Sequence, residues 1–113
     1  MTPDDYAAIA KRLDRFAPVP DEVLADIVTH EGLCFWVFNR DEMPDLSGET
    51  EPDRELAAWS CAGCPVVNSC LELELRVAGE QTVGVWGGLA DADCRKVHRF
   101  WQWRRQHPQG GAR

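Results

Sequence analysis

The chain has 113 residues, 44% of them hydrophobic, with five tryptophans and a formal charge of −7. That size implies one small domain with a limited core, for which a metal cross-link would be a substantial stabiliser, and the apolar content excludes wholesale disorder. The charge is uneven: residues 1–53 hold 13 acids and 4 bases, whereas residues 95–113 hold 6 bases and no acid, so the acidic average does not exclude nucleic acid at the C-terminal end.

No apolar run reaches the roughly 18 residues of a membrane span. The N-terminus lacks the basic and apolar regions of a secretory signal. The five cysteines are an odd number, which suits a disulfide framework poorly. Reduced thiols in a cytoplasmic protein, available to a metal, are the expectation.

In chain order, Thr2, Pro3 and Asp5 read as a helix start: a capping hydroxyl, a proline in the first turn and an acid three residues on. Tyr6, Ile9, Ala10, Leu13 and Phe16 then recur at helical spacing. Pro18 and Pro20 separate this helix from a second one carrying Val23, Leu24, Ile27 and Val28, with Gly32 as its stop. Residues 1–32 are thus expected to form a helical hairpin whose apolar stripe packs on the rest of the chain.

The most apolar run, Leu33 to Phe38, contains Cys34, Phe35, Trp36 and Phe38; it has no second strand-like run to pair with and reads as a helix end passing into a buried loop. Residues 39–51 are loop by composition. Thr50, Pro52 and Asp53 repeat the cap signature and open a short helix that delivers Cys61. Pro65 then marks a further helix start, running through Val66, Cys70, Leu71 and Leu75 to Gly79. Gly84, Gly87 and Gly88 surround Trp86 with backbone free to take positive φ. Asp91 caps a last, basic helix with Cys94, Arg95, Lys96, Arg99, Trp101, Trp103, Arg104 and Arg105.

Cys61 and Cys64 are two residues apart, Cys70 follows after five more, and 26 residues separate Cys34 from Cys61. A zinc finger would pair two short Cys/His hooks, and the second is missing here. A four-cysteine iron–sulfur site fits at least as well as a closed four-cysteine zinc site, and spacing alone does not choose.

The order Cys34, Cys61-x2-Cys64-Pro65-Val66-x3-Cys70-Leu71, the turn Gly84–Leu89 and a basic helix resembles the WhiB-like family of actinobacteria and their phages, over roughly residues 33–106. The resemblance implies an all-α fold of about five short helices wrapped around a [4Fe–4S] cluster on Cys34, Cys61, Cys64 and Cys70. It implies a cluster-binding core over 33–89 and a basic helix and tail over 90–113. It further implies a transcription regulator that binds the C-terminal domain of the primary sigma factor and responds to redox state or nitric oxide. Trp86, with Gly84, Gly87, Gly88 and the aromatics Phe35, Trp36 and Phe38, would form the sigma-factor surface, Trp86 projecting as an interface anchor. Arg95, Lys96, Arg99, Arg104 and Arg105 would contact promoter DNA, chiefly its backbone.

Two other readings stay open from the residues. One is a thiol–disulfide oxidoreductase using Cys61 and Cys64, although the βαβ setting of such motifs is absent. The other is a zinc-stapled interaction module without a redox role. No catalytic triad is suggested, and Cys94, the fifth thiol, reads as a small buried residue.

Overall fold

The computed structural model describes residues 1–32 and 43–107. Cys34, Phe35, Trp36 and Phe38 lie outside the described residues. Among the described residues there are five α-helices: α1 (Pro3–Arg12), α2 (Asp21–Glu31), α3 (Thr50–Ser60), α4 (Val67–Val77) and α5 (Asp91–Gln106). The expectation of an all-helical chain needs one correction. Val85–Trp86 (β1) and Leu89–Ala90 (β2) pair antiparallel, Val85 opposite Ala90 and Trp86 opposite Leu89. Gly87 and Gly88, at φ +58° and +82°, form a two-residue hairpin loop of the kind that needs positive φ at both central positions.

Among the described helices, the start of α1 alone carries a side-chain cap. Thr2 and Asp5 form the reciprocal capping box, each accepting from the other's backbone N–H. Asp53 does something other than cap its own helix. The helix already starts at Thr50, and the Asp53 carboxylate turns back to accept from the Ser47 and Gly48 amides and the Ser47 hydroxyl. Its pKa is lowered, first by the Ser47 amide. Pro65 does not open α4 either; Pro65 and Val66 are turn residues and the helix begins at Val67. Gly32 ends α2 in extended backbone at φ −70°, so its left-handed freedom is unused there.

The two N-terminal helices do not pair as a hairpin. A 3-10 turn, Leu13–Phe16, sends them to different neighbours: α1 lies along α5, and α2 along α4. The Tyr6 hydroxyl donates to Asp93 on α5 at 2.7 Å, and Arg54 of α3 closes on the same carboxylate through Nε at 2.9 Å. Burial would raise the Asp93 carboxyl, but Arg54 and Tyr6 outweigh it and hold it below the ordinary range. Leu13, Leu71, Leu75, Val85 and Val97 are almost wholly buried and join these helices to the hairpin in one core, with Leu24 buried beneath α2.

Candidate metal centre and its surroundings

Three of the four expected ligands come to one place. Cys61 follows the end of α3, Cys64 lies in the turn beyond it, and Cys70 sits one turn into α4. Gly63, at φ +79°, lets the chain reverse between the first two, and the Cys64 amide donates to the Cys61 carbonyl at 3.1 Å. Together with Ser60, Val67, Val85 and Gly87 these thiols line a single small cavity. The hairpin forms the opposite wall.

The closeness of that wall depends on glycine. A Cβ on Gly87 would stand 2.5 Å from the Leu71 Cβ and 2.9 Å from the Val67 carbonyl oxygen, besides its positive φ. The next residue, Gly88, bears on the Cys61 thiol through its backbone amide. Burial pushes the Cys61 thiol above its ordinary pKa, this amide pulls it down, and neighbouring Cys64 adds to the rise.

The donor chemistry fits the group that the resemblance implies. Soft sulfur donors line a small, largely apolar cavity, a setting suited to a thiolate-held metal group. The Ser60 hydroxyl oxygen, in the same wall, is buried with no hydrogen-bond partner among the described residues. Such a group costs about 1–3 kcal/mol if left unpaired, and sulfur acceptors would relieve that. Among the described residues no group of three or more Cys, His, Asp or Glu side chains is placed to hold a metal ion. Cys34 falls outside the described residues.

The same geometry speaks against a thiol–disulfide enzyme. A reactive cysteine needs a lowered pKa in an electropositive setting. Here the Cys61 thiol is raised, and no strand–helix–strand unit surrounds the pair. Cys94 is fully buried on α5, 3.7 Å from the Trp86 and Leu89 carbonyls, and burial drives its pKa strongly upward.

Trp86 does not project. It is 5% exposed, and its indole N–H donates to the Val83 carbonyl at 2.8 Å. Gly84 holds the hairpin's entry: its amide donates to Asp91 at 3.0 Å, and a Cβ there would collide with the Met43 sulfur. The large exposed apolar side chains include Trp59, 78% exposed, and Val83, 63% exposed.

The basic helix is corrected more extensively. Arg104 grips Asp14 through both Nε and Nη2. Arg105 donates to both oxygens of Glu72 at 2.9 and 2.7 Å, and to the Leu13 carbonyl. Arg95 is half-buried and bonded to the Thr82 carbonyl. Lys96 and Arg99 remain exposed; Arg99 stands 3.8 Å from Glu80. Two of the five bases, Arg104 and Arg105, are thus taken up by acids from other elements, and Arg95 by a backbone carbonyl.

Glu72, which the sequence reading passed over, is the hub of that arrangement. It is wholly buried in α4 and also accepts from Arg76 Nε at 2.7 Å and from Trp101 Nε1 at 3.0 Å. Burial alone would raise its pKa, but Arg105, Arg76 and Trp101 overcome that and lower it. The four-residue step from Glu72 to Arg76 was the visible signal; the long-range partners had none. Ser60 was also missed, its single cue being its place next to Cys61.

The family model described as Transcription factor WhiB matches residues 36–97, more than half of the chain. The transcriptional regulator WhiB2 of Mycobacterium tuberculosis (strain ATCC 25618 / H37Rv) is 30% identical over 82 residues, which cover 73% of this chain and 84% of that protein. WhiB2 of Mycolicibacterium smegmatis (strain ATCC 700084 / mc(2)155) is 30% identical over 86 residues, covering 76% of this chain and 61% of that protein. No solved structure matches significantly. No helix among the described residues is long and apolar enough to cross a membrane. With three thiols gathered against a glycine-rich hairpin and the family model spanning both, the chain belongs to the WhiB family of transcription factors.

Proposed function

We propose that the chain regulates transcription through an iron–sulfur cluster held by Cys34, Cys61, Cys64 and Cys70. The observation that carries this reading is the gathering of Cys61, Cys64 and Cys70 along one small, largely apolar cavity. In a [4Fe–4S] core each iron takes one thiolate, and three of the four would come from this wall.

Bound there, the cluster would supply a redox- or nitric oxide-sensitive centre whose integrity is felt by α3, α4 and the hairpin together. The partner of this reading is the C-terminal domain of the primary sigma factor. Gly84, Gly87 and Gly88 shape the hairpin and Trp86 holds it from inside, so the surface offered to the partner falls to exposed neighbours such as Val83 and to Phe35, Trp36 and Phe38. DNA contact is assigned to Lys96 and Arg99, the bases of α5 that stay exposed, giving salt-sensitive backbone binding.

Anaerobic reconstitution with ferrous iron and sulfide tests the central claim. The expected product has about four irons and four labile sulfides per chain and a broad visible absorption. Zinc bound without labile sulfide would overturn it in favour of a zinc staple. Retention of the sigma factor's C-terminal domain by the loaded chain, and not by the apo chain, tests the partner.

A further inference from the structure

Ser60 is the last residue of α3 and directly precedes Cys61. A hydroxyl in the last turn of a helix has an easy partner in the carbonyl four residues back. Thr29, near the end of α2, takes that option, donating to the Ala25 carbonyl at 2.8 Å. The Ser60 hydroxyl does not, and stays buried without a partner among the described residues. Ser60 lines the same small cavity as Cys61, Cys64 and Cys70, where Val67 and Val85 supply apolar walls. Apart from its own hydroxyl, the side-chain acceptors of that lining are the cysteine sulfurs.

We propose that the Ser60 hydroxyl donates a hydrogen bond to a sulfur of the cysteine-held iron–sulfur group, a cysteinate or a bridging sulfide, and so sets its reduction potential. The inference rests on the cluster reading above. Hydrogen bonds to sulfur are among the factors that set the potential of such groups. Donation counts most in the reduced state, which carries one more negative charge, so this bond raises the potential.

Ser60 is a positioning residue, and the test has to separate tuning from folding. The full chain, Ser60→Ala and Ser60→Thr are reconstituted anaerobically. Potentials are measured by spectroelectrochemistry, and iron–sulfur stretching frequencies by resonance Raman in water and in deuterium oxide. Ser60→Ala is expected to load iron normally, to shift the potential negative and to lose part of the deuterium shift. Ser60→Thr keeps a hydroxyl and is expected to restore both. In the apo chains, thermal unfolding of Ser60→Ala should occur no earlier than in the parent, since an unpaired buried hydroxyl has been removed.

A normally loaded Ser60→Ala chain with the parent's potential and deuterium shift overturns the inference and leaves the cluster reading intact. A parent chain that takes up zinc and no sulfide overturns both. If Ser60→Ala loads no iron, Ser60→Thr decides: restored loading at the parent potential supports the donor, and failure of both variants overturns it.

Discussion

Arg105, near the C-terminal end of α5, closes both of its terminal nitrogens on the two oxygens of Glu72, a wholly buried carboxylate of α4. The pair stands two residues along α4 from Cys70, so the helix that supplies a metal ligand also carries the deepest charge among the described residues. Removing Arg105 leaves Glu72 with Arg76 and Trp101. Breaking a buried pair outright costs about 3–5 kcal/mol, and with those partners remaining Arg105→Ala is expected to cost roughly 2–3 kcal/mol. Urea unfolding of the variant, read as a drop in midpoint at constant slope, checks this.

The same geometry separates two classes of basic residue in DNA binding. Lys96→Ala and Arg99→Ala should each weaken binding to a duplex and reduce the salt slope by about 1. Arg104→Ala should leave the slope unchanged, because its guanidinium is already engaged by Asp14. Fluorescence anisotropy across a salt series distinguishes them. An Arg104→Ala variant with a reduced slope would show that the Asp14 contact opens when DNA arrives.

The hairpin glycines are not equivalent. Gly87→Ala meets Leu71 and the Val67 carbonyl at positive φ, and strain with overpacking should cost about 3 kcal/mol or more. Gly88→Ala has only a Val67 methyl at 4.0 Å and should cost about 1–2 kcal/mol, the left-handed backbone term alone. Thermal unfolding of the two variants is expected to rank them in that order.

Among the cysteines, substitution should divide ligands from bystander. Cys34→Ser, Cys61→Ser, Cys64→Ser and Cys70→Ser are each expected to lose most iron and labile sulfide after anaerobic reconstitution. Cys94→Ala should keep both, at a stability cost of about 1–2 kcal/mol for its buried site. Iron loss in Cys94→Ala would move that thiol into the ligand set.

Stability should fall toward acid in two stages. His98 is buried and its pKa is lowered, burial outweighing Glu80. The unfolded chain therefore takes up a proton first, and stability present above about pH 6.5 declines as pH falls through the folded value. Glu72 and Asp93 also have lowered pKa values. Their contribution is complete above the unfolded carboxylate range of about 4 and disappears as pH drops through the folded values. Urea midpoints from pH 8 to pH 3 on the apo chain would show both stages, and His98→Gln should remove only the first.

How much of this was legible in the residues follows from range. The Thr2–Asp5 box, the glycine-rich turn and the periodic stripes of α1 and α4 are local, and local chemistry is written in consecutive residues. The two-strand pairing around Gly87 and Gly88 was passed over because strands of two residues carry no alternating pattern. Trp86 was expected to project because its immediate neighbours cannot cover it; helices distant in sequence do so instead. Asp53 and Arg104 were misjudged for one common reason. The role of a charged side chain, a cap in one case and a phosphate contact in the other, is reassigned once its partner, Ser47 for Asp53 and Asp14 for Arg104, is in place. The cysteine trio was readable in order and spacing, whereas the unpaired Ser60 hydroxyl beside it needed three dimensions.

The family match stops at residue 97, short of both Trp101 and Arg105. A fragment trimmed to that match would keep Glu72 in its interior and lose two of the three side chains that hydrogen-bond it, Arg105 and Trp101. The segment by which kinship is recognised is therefore smaller than the cooperative unit that folds, and the C-terminal helix serves as a counter-ion to the centre of the molecule rather than as an appendage to it.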